Sequence, residues 1–308
     1  MAFLAVSPNP AVDRVARIEG PGRGVERATE FLETPGGKAI HAALVAAELG
    51  APARVLTTAG GRNGRLLLEL LEAEPLEVTH VAVADATRGT YTVAGDDGDL
   101  IEVHEPSPRL SGPEADSLVS ALAGLAPAGA VVAISGSLPR GAPADLHARL
   151  VATAREAGAF TVLDCSTPES LAAGVEARPE LVAPNLDEAA ALAGTSDLES
   201  IAAAIRERGA GAVWVSLGAE GSVFADSEGS VRLAAPPPAR IVNAVGCGDA
   251  LVGGFAAGLL AGRAPREAAA LGVAAATDKL AHLHPGRVDR AAVEALVAAV
   301  TMREAAVR

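Results

Sequence analysis

The segment Asn243-Ala-Val-Gly-Cys-Gly-Asp249 stands directly before an apolar run, residues 250–262, that reads as a helix. A glycine turn feeding a helix leaves several backbone N–H groups aimed one way, with the positive end of the helix dipole behind them. Such an end accepts phosphate or a developing oxyanion. Asp249 at the helix start has two readings. It is a cap for the first turn, or it is a general base held beside an anion cradle, the pairing that phosphoryl transfer to an alcohol requires. Local sequence leaves both open. Cys247 sits in the same turn, where a helix N-terminus is expected to lower a thiol pKa.

Other glycine motifs fail their templates. Gly246-x-Gly248 has Leu251 where a dinucleotide fingerprint needs its third glycine, and it comes late in the chain. Gly37-Lys38 is followed by Ala39, and Leu32 stands where a P-loop begins with glycine. Ser135-Gly-Ser137 lacks the glycine two residues before the serine of a nucleophile elbow.

The elements that must position these residues follow from composition and pattern. The 308 residues are 50% hydrophobic and 20% charged, which excludes a disordered chain. Aromatics make up 2%, so the core is Ala, Val and Leu, and stacking platforms for single-stranded nucleic acid are not expected. The net charge of −13 argues against nucleic acid and anionic membrane surfaces as partners. Cys165 and Cys247 are too few for a disulfide framework, which favours a reducing, cytoplasmic setting. The N-terminus has no basic region before its apolar run and does not read as a secretory signal. The uncharged stretch 117–139 is broken by Gly124, Pro127, Gly129 and Gly136, so it is not read as a membrane span.

Short branched apolar runs at 3–6, 54–57, 131–135, 160–164, 181–183 and 213–217 read as buried strands. Helical patterns at 38–49, 64–74, 113–125, 144–157, 186–193 and 198–208 alternate with them. This rhythm predicts an α/β fold, a parallel sheet with helices on both faces. Residues 223–233 suggest a hairpin, and the chain from Asp249 onward reads as nearly all helix. Segments around 14–35 and 88–104 break the rhythm with polar alternation, and Asp96-Asp97-Gly98 is a hairpin-turn signal. They are strands of a small separate sheet or edge strands of the main one; the pattern permits either.

Six motifs, in order, resemble the ribokinase-like sugar kinases, the PfkB carbohydrate kinase family. They are Asn9-Pro-Ala-Val-Asp13, Pro35-Gly-Gly-Lys-Ala-Ile-His41, Ser135-Gly-Ser-Leu-Pro139, Pro184-Asn-Leu-Asp-Glu188, Ser216-Leu-Gly-Ala-Glu-Gly221 and the 243–249 turn. With the Thr87-Arg88 pair they are most similar to the branch holding 1-phosphofructokinase and tagatose-6-phosphate kinase. The resemblance implies one ribokinase-like kinase domain over 1–308, with β-lid segments at about 12–36 and 85–105 and pairing into a homodimer through the lid. It implies ATP-dependent, Mg2+-requiring phosphorylation of a sugar phosphate, fructose 1-phosphate to fructose 1,6-bisphosphate first among the candidates. A kinase of an unphosphorylated sugar or nucleoside is the alternative, and a non-catalytic sugar or nucleotide sensor is a further one.

The resemblance also assigns roles. Asp249 is the implied base, and the amides of Gly246, Cys247 and Gly248 stabilise the transferred group. Asn185 and Glu188 place Mg2+ and the nucleotide phosphates, with Glu188 as the metal's carboxylate and water between; a helix-capping box explains the same pair locally. Ser216, Gly218, Gly221 and Gly248 belong to the nucleotide site. Asp13, Gly36, Gly37, Lys38, His41, Arg88 and Ser137 belong to the sugar site, with Lys38 and Arg88 on the substrate's own phosphate. Five positions depart from the branch's pattern, among them Ala244, where a Thr is common, and Ala183, where a Lys is frequent. His41 stands where an amide is usual, which implies altered sugar choice or a pH-sensitive site. Ala39 and Cys247 replace a glycine and an alanine.

Overall fold

The computed structural model describes residues 1–19, 25–95 and 100–304. In chain order the first strands are β1 (Phe3–Ser7), β2 (Ala11–Arg17) and β3 (Glu30–Gly36), followed by α1 (Lys38–Glu48), β4 (Ala53–Ala59) and α2 (Gly61–Glu72). Next come β5 (Glu77–Ala82), β6 (Arg88–Ala94), β7 (Leu100–His104), α3 (Gly112–Leu125), β8 (Val131–Gly136) and α4 (Leu146–Glu156). The middle holds β9 (Phe160–Cys165), α5 (Pro168–Glu176), β10 (Leu181–Val182), α6 (Leu186–Ala193), α7 (Leu198–Glu207) and β11 (Ala212–Ser216). The last part is β12 (Ser222–Asp226), β13 (Gly229–Ala234), α8 (Cys247–Leu260), α9 (Pro265–Lys279), α10 (Arg290–Val297) and β14 (Thr301–Glu304).

Among the described residues, one sheet runs β14-β13-β12-β11-β10-β9-β8-β1-β4-β5. It is parallel from β5 through β11, and the hairpin β12–β13 and β14 add antiparallel strands at one edge. The buried side chains form two apolar layers. Leu67, Phe255 and Ala268 pack on one face of the sheet, and Leu118, Leu150, Leu171 and Ile205 on the other. A second sheet, β3-β2-β6-β7, stands apart. Its β2 pairs antiparallel with β3 and parallel with β6, while β6 and β7 are antiparallel. The off-rhythm segments are therefore strands of a separate small sheet, as one of the two sequence readings has it. The Asp96-Asp97-Gly98 turn lies outside the described residues.

Three elements differ from the sequence reading. Strand β5 is half exposed at the sheet edge, so Glu77, Thr79 and His80 hide its strand character. Helix α5 is short and carries Gly174; its signal was Pro168 in the first turn after Thr167. The C-terminal part is not all helix, because Thr301–Glu304 pairs with β13. This tetrapeptide is exposed and has no apolar run, so only pairing identifies it.

The site depends on how closely α8 can approach its neighbours. A Cβ at Gly254 would lie 2.7 Å from Gly272 Cα, and one at Gly258 would lie 2.8 Å from Ala268 Cα. Small residues thus bring α8 and α9 into near backbone contact. Gly254→Val should destabilise the fold by about 1–3 kcal/mol, the usual cost of overpacking. Urea unfolding of the variant checks this, and an unchanged midpoint would mean that α9 can yield.

Candidate active site

A cavity of about 390 Å3 opens where the carboxyl ends of β9, β10 and β11 meet the N-termini of α1 and α8 and the inner face of the small sheet. Open α/β sheets bind ligands outside their carboxyl strand ends. Strand β9 delivers Asp164, the turn after β10 delivers Asn185 and Glu188, and β11 ends on Ser216. From the small sheet come Asp13 on β2, Arg88, Thr90 and Thr92 on β6, and Glu102 and His104 on β7. The two-residue period puts all of these on one face.

The 243–248 turn forms another wall. Gly246 caps α8 with φ 88°, and a Cβ there would collide with the Pro285 carbonyl, so only glycine fits. Cys247, Gly248 and Asp249 are the first residues of α8, and no side chain caps their N–H groups. A Cβ on Gly248 would meet nothing within 4 Å, so open space lies above it. The Cys247 N–H makes only a long 3.4 Å contact with the Ala244 carbonyl. Burial pushes the Cys247 thiol up to about 11, which corrects the expectation of a lowered pKa. Desolvation outweighs the opposing pull of the Lys279 charge.

His41, on α1, joins two carboxylates. Its Nδ1 lies 2.8 Å from Asp249 Oδ2 and its Nε2 lies 2.9 Å from Asp13 Oδ2, with all three side chains buried. Burial opposes a charge on the imidazole, but the bonds to Asp13 and Asp249 prevail and lift its pKa to about 9. It is an imidazolium at neutral pH, donating from both nitrogens. Burial likewise opposes ionisation of Asp13, yet His41, the Thr90 hydroxyl at 2.5 Å and Arg88 hold its pKa below the usual value. Asp249 is thus no plain helix cap: its Oδ2 is taken by His41, and no protein donor among the described residues reaches Oδ1.

Lys38 and Arg88 occupy different parts of the cavity. Lys38 Nζ donates to Asp164 at 2.9 Å and lies 3.9 Å from Glu188. Burial works against the ammonium, but Asp164, Asp249 and Glu188 raise its pKa. Asp164 itself is pushed up to about 6 by burial, despite Lys38. Arg88 lies near Asp13, and its buried Nε has no acceptor. Asn185 and Glu188 make the capping box of α6, each bonding the other's backbone N–H at 2.9 Å. One Glu188 oxygen still faces the cavity beside Lys38.

Gly37 lines the cavity, whereas Gly36 makes room for the Asp13 carboxylate. Ser137, Gly218 and Gly221 do not line it. Ser137 accepts a hydrogen bond from Asn9 Nδ2 at 2.9 Å, and the two glycines shape the turn beyond β11. Sequence reasoning missed Asp164, Thr90, Thr92, Glu102 and His104. Only the polar Asp164 at the end of an apolar strand carried a local signal. Oxygen donors from Asn185, Glu188 and Asp164 suit a hard cation. Among the described residues no group of three or more His, Cys, Asp or Glu has metal-holding geometry, so Mg2+ there would rely on water and ligand oxygens.

Fold and cavity together define a phosphate-handling α/β enzyme of ribokinase-like architecture. Residues 7–282 match the pfkB family carbohydrate kinase family, and the chain belongs to that family: it is a sugar kinase, a phosphotransferase with an alcohol acceptor. Among solved structures, phosphofructokinase-2 from Escherichia coli in complex with substrates and products is 29% identical, with a TM-score of 0.86 over 97% of this chain and 99% of that one. A protein from Thermotoga maritima described as a possible 1-phosphofructokinase is 23% identical, with a TM-score of 0.86 over 99% and 100%. Arabidopsis thaliana ribokinase complexed with ribose and ATP shares the fold at 21% identity, with a TM-score of 0.72 over 96% and 99%.

The His41 bridge makes a pH prediction. Folded His41 holds its proton to about pH 9, against about 6.5 for free imidazole. The stability it contributes is complete below 6.5 and fades as pH rises through 9. The difference in unfolding free energy between wild type and His41→Asn should therefore shrink over that window. Urea titrations at several pH values measure it; a difference independent of pH would show that His41 is not charged.

Proposed function

We propose that this sugar kinase uses ATP and Mg2+ to phosphorylate a sugar that already carries a phosphate, fructose 1-phosphate to fructose 1,6-bisphosphate being the leading case. The observation that carries the reading is Arg88, whose buried Nε lacks an acceptor in the cavity that also holds Asp13 and Asp249. A neutral sugar gives the half-buried guanidinium no anion beyond nearby Asp13, whereas a phosphate accepts from its planar fork.

In this reading Asp13 accepts hydrogen bonds from sugar hydroxyls and sets the acceptor's orientation. Asp249 Oδ1 takes the hydroxyl proton as that oxygen attacks the γ-phosphorus in line, and the bond to the ADP oxygen breaks. The N–H groups of residues 246–248 receive the negative charge on the transferred group. Charged His41 holds Asp249 in place through Oδ2. Asn185 and Glu188 would hold Mg2+ through water, and the metal's chemistry is charge neutralisation on the nucleotide phosphates. Ser216, with Gly218 and Gly221 behind it, would border the nucleotide. The small sheet would act as a lid that excludes water and so limits ATP hydrolysis.

The chain would act as one kinase unit over 1–308 that pairs through this lid. Phe31, Ile101 and Val103 lie on its outer face, 59%, 62% and 57% exposed. The register puts Phe31, Ala16, Val93 and Ile101 in one row and Arg14, Tyr91 and Val103 in the next. A second copy would cover that surface. No helix among the described residues is long and apolar enough to cross a membrane, and the two free cysteines favour a reducing, cytoplasmic setting.

Two measurements test the reading. ADP release should rise with ketohexose phosphates and stay low with neutral sugars and nucleosides, and Asp249→Asn should keep nucleotide binding while losing at least about 10²-fold in rate. Equal turnover of neutral sugars, or an active Asp249→Asn enzyme, would overturn it. By sedimentation, wild type should run as a dimer and Ile101→Asp as a monomer; identical profiles would remove the lid from the interface.

A further inference from the structure

Lys279, the last residue of α9, is fully buried, and among the described residues no carboxylate pairs with it. Its Nζ donates to the Asn243 carbonyl at 2.7 Å and to the His282 carbonyl at 3.1 Å. Those carbonyls belong to two loops that build the anion cradle. Asn243 opens the turn, and its side chain both donates to the Leu283 carbonyl at 2.7 Å and accepts from the Val245 N–H at 2.9 Å. The second loop reaches Pro285, whose carbonyl abuts Gly246. Burial pushes the ammonium pKa down to about 8, while nearby Cys247 and Asp249 work to retain the proton. A buried cation resting on carbonyls alone is costly to keep, and methionine, one atom shorter, would fill most of the same space without the charge.

We propose that Lys279 is a positioning residue for phosphoryl transfer: its tethered ammonium locks the Asn243 and His282 loops together, keeps the N–H groups of residues 246–248 aimed into the cavity, and backs them with a fixed positive charge. The inference rests on the kinase reading above and concerns the cradle alone, so it does not depend on which sugar is used. A charge built into the chain also removes any need for a dissolved monovalent cation at these carbonyls.

Lys279→Met removes the charge and keeps most of the side-chain volume, and Lys279→Ala opens room for a small amine. In folded Lys279→Met, kcat should fall about tenfold or more, within the range for weakening an oxyanion site, while the sugar KM stays nearly constant. Methylammonium should restore Lys279→Ala; tetramethylammonium, which cannot donate, should not. Calorimetric binding of MgATP without sugar should weaken and recover in parallel, and this readout stands even if every sugar tried proves inert, a result that would count against the proposed substrate alone. Wild-type kcat should be the same in sodium, potassium and choline salts, which tests the idea if neither variant folds. Wild-type-like kcat and MgATP binding in Lys279→Met, losses that methylammonium leaves uncorrected, or a wild-type requirement for a monovalent cation would each overturn the proposal.

Discussion

Three buried side chains from three elements meet at His41. Asp13 comes from β2 of the small sheet, His41 from α1 and Asp249 from the start of α8. Two carboxylates buried in one cavity repel each other and resist ionisation. An imidazolium between them hydrogen-bonds both and offsets that repulsion. It also ties the small sheet to the helix that carries the candidate base, so any movement of one is felt at the other. The close α8–α9 packing and the glycine at residue 246 exist in the same frame, because each sets where Asp249 stands.

The cavity mixes both signs of charge, with Arg88, Lys38 and charged His41 set among Asp13, Glu102, Asp164, Glu188 and Asp249. A net charge of −13 weighs against extended polyanions as partners. Inside the cavity, Arg88, Lys38 and the N-terminus of α8 supply positive potential over a few ångströms, a distance at which local charges outweigh remote ones. The cations are not equivalent. Lys38 is already engaged by Asp164 and Glu188, and Arg88 keeps an unpartnered nitrogen. The family resemblance treats them as a pair of phosphate ligands, while geometry puts Lys38 beside the oxygen donors of β9 and α6.

Much of this was legible in the chain. The alternation of branched apolar runs with helical stretches reports the parallel sheet, because a strand buried on both faces needs a continuous apolar run. The glycine turn before residue 250 reports a helix N-terminus open to an anion. What failed to show were elements without an apolar signature: β5, whose exposed edge tolerates polar residues, and β14, a short exposed strand. The thiol of Cys247 shows the same limit in electrostatics. Its helix position is visible in sequence and suggests a lowered pKa, but burial is invisible there and pushes it up.

By itself the sequence determined the α/β class, the motifs of a pfkB sugar kinase, and Asp249 behind its glycine turn, since each depends on local pattern and spacing. Tertiary structure alone decided that His41 bridges Asp13 and Asp249, that Asp164 captures Lys38, and that Lys279 donates to the Asn243 carbonyl. These contacts join residues 28 to 208 positions apart, and their strength comes from desolvation. No one-dimensional pattern records how deeply a charge is buried or which distant group shares its burial.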